Sequence, residues 1–186
     1  MLDQIKTSIL ITLMFTVITG LVYPLSVTLF ARGLFSNQAN GSLITKSGNV
    51  IGSKLIGQNF TSPKYFHPRP SISNYDATIS GGSNLAPTSK KLIDRIKSDA
   101  QSLQKENPNL HVPIDLVTIS GSSLDPHITP EAARFQVPRI AKVRKIAEEK
   151  ILELVHKYTE PRQFGIFGEP RVNVLLLNLA LDNLSM

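Results

Sequence analysis

The stretch SGSSLDPHITPEAARFQVPR, from Ser120 to Arg139, combines hydroxyl groups, a carboxylate and an imidazole with the start of a helix. Asp125-Pro126 is typical of a rigid turn. Thr129 is followed by Pro130 and Glu131, a helix-start pattern in which Thr accepts a backbone hydrogen bond and Pro occupies the first helical position. The stretch therefore predicts a rigid corner that leads into a helix.

The same stretch contains the residue types of a hydrolytic triad. Ser122 or Ser123 would be the nucleophile, His127 the base and Asp125 the orienting acid. Triad members normally come from distant positions, and the stretch lacks the G-x-S-x-G pattern of a nucleophile elbow. Turn and capping rules explain each residue, so a folding role is favoured. A membrane-anchored extracytoplasmic hydrolase using Ser122 or Ser123 with His127 is the alternative.

The segments that flank this stretch have contrasting patterns. Residues 114–119 are β-prone and predict a strand. Residues after Thr129 predict a basic amphipathic helix that breaks or kinks near Pro138 and then resumes. The apolar stripe of that helix is formed by Ile140, Val143, Ala147, Ile151, Leu154 and Tyr158.

Other elements follow from local patterns along the chain. Residues 42–45 and 50–53 flank a Gly/Asn turn and predict a hairpin. Residues 58–83 contain Pro63, Pro68 and Pro70, which exclude a regular helix and predict an extended loop, a candidate contact surface. A helix is predicted within 87–107, and residues 171–181 predict a buried strand. The apolar face of the 87–107 helix comprises Leu92, Ile93, Ile96, Ala100 and Leu103.

The N-terminal part of the chain has the composition of a membrane span. Residues 7–31 contain no charged side chain, and a bilayer span needs roughly 20 apolar residues. The run is too long for a signal-peptide core and lacks a good cleavage site at Leu29-Phe30-Ala31, so a retained anchor is favoured over a cleaved signal. Pro24 removes one backbone donor within the span and predicts a kink.

The domain organisation follows from that span. Residues 1–6 are the cytoplasmic N-terminus, 7–31 the transmembrane helix, 32–41 a linker and 42–186 one extracytoplasmic domain. The predicted fold class is α/β: one N-terminal transmembrane helix followed by a single mixed α/β soluble domain. The charges on the two sides of the span nearly balance, so the positive-inside rule favours a cytoplasmic N-terminus only narrowly.

Composition excludes several kinds of function. The net charge is +6, but aromatic residues are not interleaved with the basic ones, which argues against nucleic-acid binding. The chain has no cysteine, which excludes disulfides and thiolate chemistry. The four histidines do not pair at helical spacing, so no metal site is predicted. Gly81-Gly82-Ser83-Asn84 lacks the Gly-Lys-Ser/Thr ending of a phosphate-binding loop, so nucleotide binding there is disfavoured.

Several stretches together resemble the C subunit (KdpC) family of the Kdp high-affinity potassium-transporting ATPase. They occur in the order of the family over nearly the whole chain. The chain departs from the family at Ser123 and Ala86, where Gly is more usual. Because Gly adopts positive φ readily, these departures raise the question of whether the backbone needs positive φ at the two positions. Besides the N-terminal span, the matching stretches are Gly57-Gln58-Asn59-Phe60, residues 65–71 (YFHPRPS), Gly81-Gly82-Ser83-Asn84-Leu85, Pro113–Asp115, Ser120–Arg139 and Arg171-Val172-Asn173-Val174.

The resemblance implies a non-catalytic accessory subunit of an ATP-driven potassium uptake complex. Its implied partners are a potassium-channel-like subunit, a P-type ATPase subunit and the lipid bilayer. Its implied place is the plasma (inner) membrane, crossed once, with the soluble domain outside the cytoplasm. The family is also described as a catalytic chaperone that raises the ATP affinity of the pump subunit, so ATP is implied by the family alone. A soluble domain on the opposite side of the membrane from ATP could change the ATP affinity of the pump subunit only by favouring one conformation of that subunit.

Two loop stretches combine polar, aromatic and arginine side chains and form the hypothetical docking surface. They are residues 65–71 and 120–139. Arg69 and Arg139 are the expected charged contacts, because arginine suits interface pairing. The candidate docking residues are Tyr65, His67, Arg69, Ser71, Asp125, His127, Gln136 and Arg139.

Overall fold

A computed structural model of the chain describes residues 1–184 and divides it into two compact units. The first unit is Met1–Ser53, and the second begins at Lys54. The first contains a long apolar helix, and the second a mixture of helices and short strands. The predicted fold class is therefore confirmed.

The first unit begins with one continuous helical run, Leu2–Leu34, which is long and apolar enough to cross a membrane. It consists of α1 (Leu2–Val17), a π-helical segment (Ile18–Val22) and α2 (Tyr23–Leu34). The π segment lies just before Pro24, and the N–H of Tyr23 bonds to the carbonyl of Ile18. Because Pro24 has no backbone N–H, the normal helical ladder is interrupted where the sequence predicts a kink.

The rest of the first unit is a short helix, α3 (Ser36–Ala39), and a β-hairpin. Strands β1 (Leu43–Lys46) and β2 (Asn49–Ser53) pair antiparallel. Their turn residues Ser47 and Gly48 have φ of 51° and 82°. Positive φ at both positions is the requirement of the tight turn that matches strand twist. The predicted hairpin is confirmed.

The second unit combines four helices with a small antiparallel sheet. Its elements are α4 (Lys90–Glu106), a 3₁₀ turn (Ile114–Leu116), β3 (His127–Ile128), α5 (Pro130–Arg144), α6 (Glu148–Lys157), β4 (Thr159–Glu160), β5 (Arg171–Asn173) and α7 (Val174–Asn183). The strands lie in the order β3–β5–β4, with β5 central. Helices α5, α6 and α7 supply most of the core, together with Phe66 and Val172.

The two amphipathic helices predicted from periodicity are present but differ in burial. Helix α4 lies within the predicted 87–107 range and has no buried residue among its members. Its Leu103 packs against the core while only partly buried. Helix α5 begins as predicted, with the Thr129 hydroxyl accepting a hydrogen bond from the N–H of Ala132 at 3.1 Å. The capping prediction is confirmed.

The strand predicted over residues 114–119 is wrong. Residues Ile114–Leu116 form a 3₁₀ turn that follows Pro113. The buried Asp115 carboxylate accepts hydrogen bonds from the N–H and the hydroxyl of Thr129, at 2.7 and 3.2 Å. A carboxylate bound to the start of α5 fixes this segment as a turn, which β propensity does not foresee.

The strand predicted over residues 171–181 is confirmed only at its start. Strand β5 ends at Asn173, and α7 follows directly. The side chain of Asn173 accepts a hydrogen bond from the N–H of Leu176 at 3.1 Å and so caps the helix. An apolar run of this length does not distinguish a buried strand from a buried helix by periodicity.

The break predicted near Pro138 is displaced. Helix α5 continues through Pro138 to Arg144, and the chain turns at Lys145, whose φ is 55°. Ile140 of the predicted stripe is buried, whereas Val143 and Ala147 are exposed, and α5 ends between them at Arg144. The absence of a backbone N–H at Pro138 therefore does not end the helix. The helix ends instead before Lys145, which adopts the left-handed conformation.

The predicted extended loop, residues 58–83, has no regular secondary structure and is bound to the helices by two carboxamides. Asn178 of α7 accepts from the N–H of Phe66 at 2.8 Å and donates to its carbonyl at 2.9 Å. Gln136 of α5 does the same for His67, at 2.8 and 3.1 Å. These four bonds, the carboxamide clamps, hold the fully buried Phe66 ring in the core.

We expect Asn178→Leu to lower the free energy of unfolding by about 2–4 kcal/mol, because it leaves a buried N–H and a buried carbonyl of Phe66 unpaired. Thermal unfolding of the full chain in detergent measures the change. The control is Asn183→Leu, at an exposed position of the same helix. Equal stability of the two variants would contradict the clamp.

Candidate docking site

The loop and the corner predicted to form one surface lie directly against each other. The N–H of Gly57 donates to the carbonyl of Leu124 at 2.7 Å. A Cβ at Gly57 would lie 2.7 Å from the carbonyl oxygen of Asp125, so no side chain fits there. The N–H of Gly81 donates to the carbonyl of Ser122 at 3.1 Å. The two ends of the loop, at Gly57 and Gly81, therefore pack on the corner through backbone contacts.

Arg69, Asp125 and His127 form a polar cluster where the loop meets the corner. The Arg69 guanidinium lies 3.0 Å from one carboxylate oxygen of Asp125. The other oxygen accepts from the backbone N–H of His127 at 3.0 Å, and the Nδ1 of His127 lies 3.7 Å from it. The three side chains are 25–29% exposed. They line a groove of about 320 Å³ that Glu169 and Pro170 also line.

The electrostatics of the cluster favour an ionised carboxylate. Burial acts to raise the pKa of Asp125, whereas hydrogen bonds from His127 and Arg69 and the charge of Arg69 act to lower it. The attractive contacts prevail, and the pKa lies below its ordinary value of 3.8. The Arg69–Asp125 pair therefore stays charged at neutral pH and joins the loop to the corner.

Arg139 holds the loop from the side of helix α5. Its guanidinium donates to the carbonyls of Pro63 and Tyr65, the latter at 3.1 Å, and to the Gln136 side chain at 2.8 Å. The Glu106 carboxylate lies 3.2 Å from its Nε. Only 13% of the Arg139 side chain is exposed. Arg139 thus supports the same segment that the carboxamide clamps bind.

Tyr65 and Ser71 also make contacts within the unit. The hydroxyl of Tyr65 donates to Asp182 at 3.0 Å, and the Arg144 guanidinium lies 5.0 Å from the centre of its ring. Arg144 pairs with Asp182 at 2.7 Å. The Ser71 hydroxyl accepts from the N–H of Tyr75 at 3.0 Å. Each of the eight candidate docking residues therefore makes contacts that fix the loop or the corner. Gln136 is only 3% exposed, so it supports the loop and does not present its own side chain to solvent.

The chain matches the family model described as "K+-transporting ATPase, c chain" over residues 5–183. A potassium-transporting ATPase KdpC subunit from Bradyrhizobium diazoefficiens is 55% identical, over 98% of this chain and 98% of its own length. The chain belongs to the KdpC family. Further KdpC subunits support this: that of Gloeobacter violaceus is 53% identical over 98% of the chain and 97% of its own length, and that of Koribacter versatilis is 51% identical over 98% and 95%.

The KdpC match includes every part of the site. Residues 5–183 contain most of the apolar helix, both loop stretches and the clamp residues of α5 and α7. Sequence reasoning selected Gln136 but missed Asn178, Asp115 and Arg144. Asn178 stands alone among apolar neighbours in residues 174–181, and an isolated carboxamide in such a run signals a buried polar contact.

The hydrolase alternative is wrong for this KdpC chain. Ser123 is 2% exposed, and its hydroxyl donates to the carbonyl of Gly81 at 2.6 Å. The Ser122 hydroxyl accepts from the N–H of Leu124 at 3.2 Å. Among the described residues, neither hydroxyl is hydrogen-bonded to His127, as a nucleophile would be to its base. These serines stabilise the corner.

The two departures from the usual KdpC glycines have different outcomes. Ser123 has φ of 62°, which lies in the left-handed region that glycine adopts without steric cost. Its hydroxyl also accepts from the N–H of Ile72 at 3.3 Å, so the strained backbone gains two side-chain bonds that glycine could not make. Ala86 does not have positive φ. Of the two positions, only 123 therefore requires a backbone with positive φ.

The glycine pair Gly81-Gly82 is a packing feature. Gly82 lies against the backbone of Gly121, with 3.4 Å from its Cβ position to the Gly121 carbonyl oxygen. Helix α4 begins several residues later, with Ser89 as its N-cap. The pair is therefore separated from the helix N-terminus that a phosphate loop would require. Among residues 1–184, no group of three His, Asp or Glu side chains is arranged to hold a metal ion.

We expect acid to destabilise the second unit below about pH 6.5 through His67. Burial, followed by the charge of Arg139, lowers the pKa of His67 from 6.5. The unfolded chain then binds the proton more readily than the folded one, so stability falls as pH drops below 6.5. Asp125 does not contribute in this window, because its pKa is lowered on folding and its contribution is lost only as pH falls below the ordinary value of 3.8 toward the folded pKa.

Chemical unfolding of the full chain at several pH values between 5 and 8 measures this loss. His67→Gln keeps a donor for the Ser62 carbonyl, 3.0 Å from Nε2, and should flatten the pH profile. His111→Gln, at an exposed position, is the control and should leave the profile unchanged. Parallel profiles for wild type and His67→Gln would exclude this role of His67.

Proposed function

We propose that this chain is the accessory subunit of an ATP-driven high-affinity potassium uptake complex. The observation that supports it is the KdpC family match over residues 5–183, at 51–55% identity to relatives named as KdpC subunits of a potassium-transporting ATPase. The match includes most of the apolar helix, which supports a retained membrane anchor over a cleaved signal. The chain would cross the plasma (inner) membrane once.

In this proposal the chain itself carries out no reaction. It joins a potassium-channel-like subunit and a P-type ATPase subunit and stabilises their assembly, with the soluble domain on the extracytoplasmic side. Any effect on ATP affinity would arise in the pump subunit, through preferential binding of this chain to one of its conformations. The polar groups of the site support such a role, because they rigidify a surface.

The proposed contact with the channel-like subunit, near its outer entrance, is the surface of residues 65–71 and 120–139. Its loops are held by the carboxamide clamps and by Arg69 and Arg139, so little conformational entropy is lost on docking. The partly exposed Arg69, Asp125 and His127 offer both a donor and an acceptor to a partner. A rigid polar surface of this kind suits specific subunit recognition.

We expect Arg69→Ala combined with Arg139→Ala to reduce co-purification of the other subunits with this chain and to reduce potassium uptake. The change removes the Asp125 pair and the contacts to the Pro63 and Tyr65 carbonyls, so the docking surface loses its shape. The measurement is the yield of complex per tagged chain, together with potassium uptake in cells. Arg134→Ala is the control, since its side chain is 55% exposed and lies on the same helix as Arg139.

Thermal unfolding of the double variant separates docking from folding. A folded variant with reduced co-purification supports the surface as an interface. Unchanged co-purification and uptake would exclude it.

The proposed topology has its own test, because the chain contains no cysteine and a single introduced thiol is the only labelling site. We expect Ser98→Cys, at an exposed position of α4, to react with a membrane-impermeant maleimide in intact cells. Gln4→Cys, near the N-terminus, is the matched control and should react only after the membrane is opened. The reverse pattern would place the soluble domain in the cytoplasm.

A further inference from the structure

Residues 161–170 form a projecting turn, called the finger, with an apolar tip. Phe164 is 92% exposed, Ile166 72% and Phe167 62%. Phe164 is the most exposed large apolar side chain among the described residues of the second unit. Exposing three such side chains together on a short turn has no folding benefit, because their burial is what stabilises a fold. Their exposure therefore indicates that these side chains are buried by contact with another molecule.

The finger has a defined shape. Gln163 and Phe167 exchange two backbone hydrogen bonds, each 2.9 Å long. Within the turn, the N–H of Gly165 bonds to the carbonyl of Arg162 and that of Ile166 to the carbonyl of Gln163, both at 3.1 Å. The turn is therefore held in one conformation, and its apolar tip is pre-organised for insertion.

The charges of the finger are already neutralised. Arg162 binds both carboxylate oxygens of Glu169, at 2.8 and 2.6 Å. At its base, Arg171 pairs with Glu160 at 3.0 Å. Attraction to anionic phospholipid needs uncompensated basic residues, and none lies between residues 160 and 171. The tip also lacks the Trp and Tyr that favour the membrane interface. The charge pattern therefore favours a protein pocket over a lipid surface.

The base of the finger is continuous with the candidate docking site. The finger connects β4 to β5, and β5 pairs with β3, which contains His127. Glu169 and Pro170 line the same groove as Arg69 and Asp125. An apolar tip next to a polar surface is the usual arrangement of an interface anchor and its rim.

We propose that the finger inserts Phe164, Ile166 and Phe167 into an apolar pocket of another subunit of the potassium-transporting ATPase complex. This inference rests on the proposed function, since it requires that complex. Exposed aromatic anchors of this kind account for a large share of binding energy when buried in a partner.

The test uses the tagged full chain, expressed together with the other subunits of its complex. In one arm, Phe164→Ser with Phe167→Ser is compared with wild type by co-purification. We expect the retained amount of other subunits to fall about tenfold or more, since two buried aromatic contacts are lost. Leu110→Ser, also at an exposed apolar position of the second unit, is the control and should retain them fully.

In the second arm, a photo-crosslinking phenylalanine analogue replaces Phe164 in the assembled complex, and mass spectrometry identifies the adduct. We expect an adduct with an apolar segment of another subunit of the same ATPase. An adduct with lipid, with a second copy of this chain or with an unrelated protein would overturn the proposal, as would no protein adduct. If the wild-type chain retains no other subunit, both this inference and the proposed function are overturned. If the wild-type chain and the finger variant retain the other subunits equally, only the inference is overturned.

Discussion

The second unit depends on the pairing of two side-chain carboxamides with two consecutive backbone residues. Asn178 and Gln136 satisfy both the N–H and the carbonyl of Phe66 and His67. An extended segment inside a core has no strand partner, so its polar groups would otherwise be buried without hydrogen bonds. The clamps remove that penalty and allow Phe66, with none of its surface exposed, to join the helices in one core. The clamps therefore determine the position of the whole loop, and with it that of the proposed docking surface.

The polar residues of the surface both support the loop and remain partly available to a partner. Arg139 is mostly enclosed and supports the loop, whereas Arg69, Asp125 and His127 keep about a quarter of their side chains in solvent. A partner would therefore meet groups whose positions are already determined. Because they are held by internal bonds, little of the binding free energy is lost in ordering them.

Sequence alone predicted the features that depend on local rules. The hairpin turn at Ser47-Gly48, the Thr129 cap and the amphipathic helix α4 each follow from a few neighbouring residues. The errors arose where a distant partner decides the local structure. Asp115 becomes part of a turn because Thr129 binds it, and residues 174–181 become a helix because Asn173 caps them and the core buries them. Of the surface, the loop and the corner were foreseen as neighbours, whereas Asn178 was not, since its partner lies 112 residues away.

That separation also determines when the domain can be completed. Asn178 lies in α7, and the residue whose backbone it binds, Phe66, is among the first of the second unit to be synthesised. The loop cannot dock until α7 has left the ribosome and, in the proposed topology, crossed the membrane. Contacts of such long range are slow to form. The backbone of Phe66 is thus without its partner Asn178 until α7 has been made, and the proposed docking surface is completed only then.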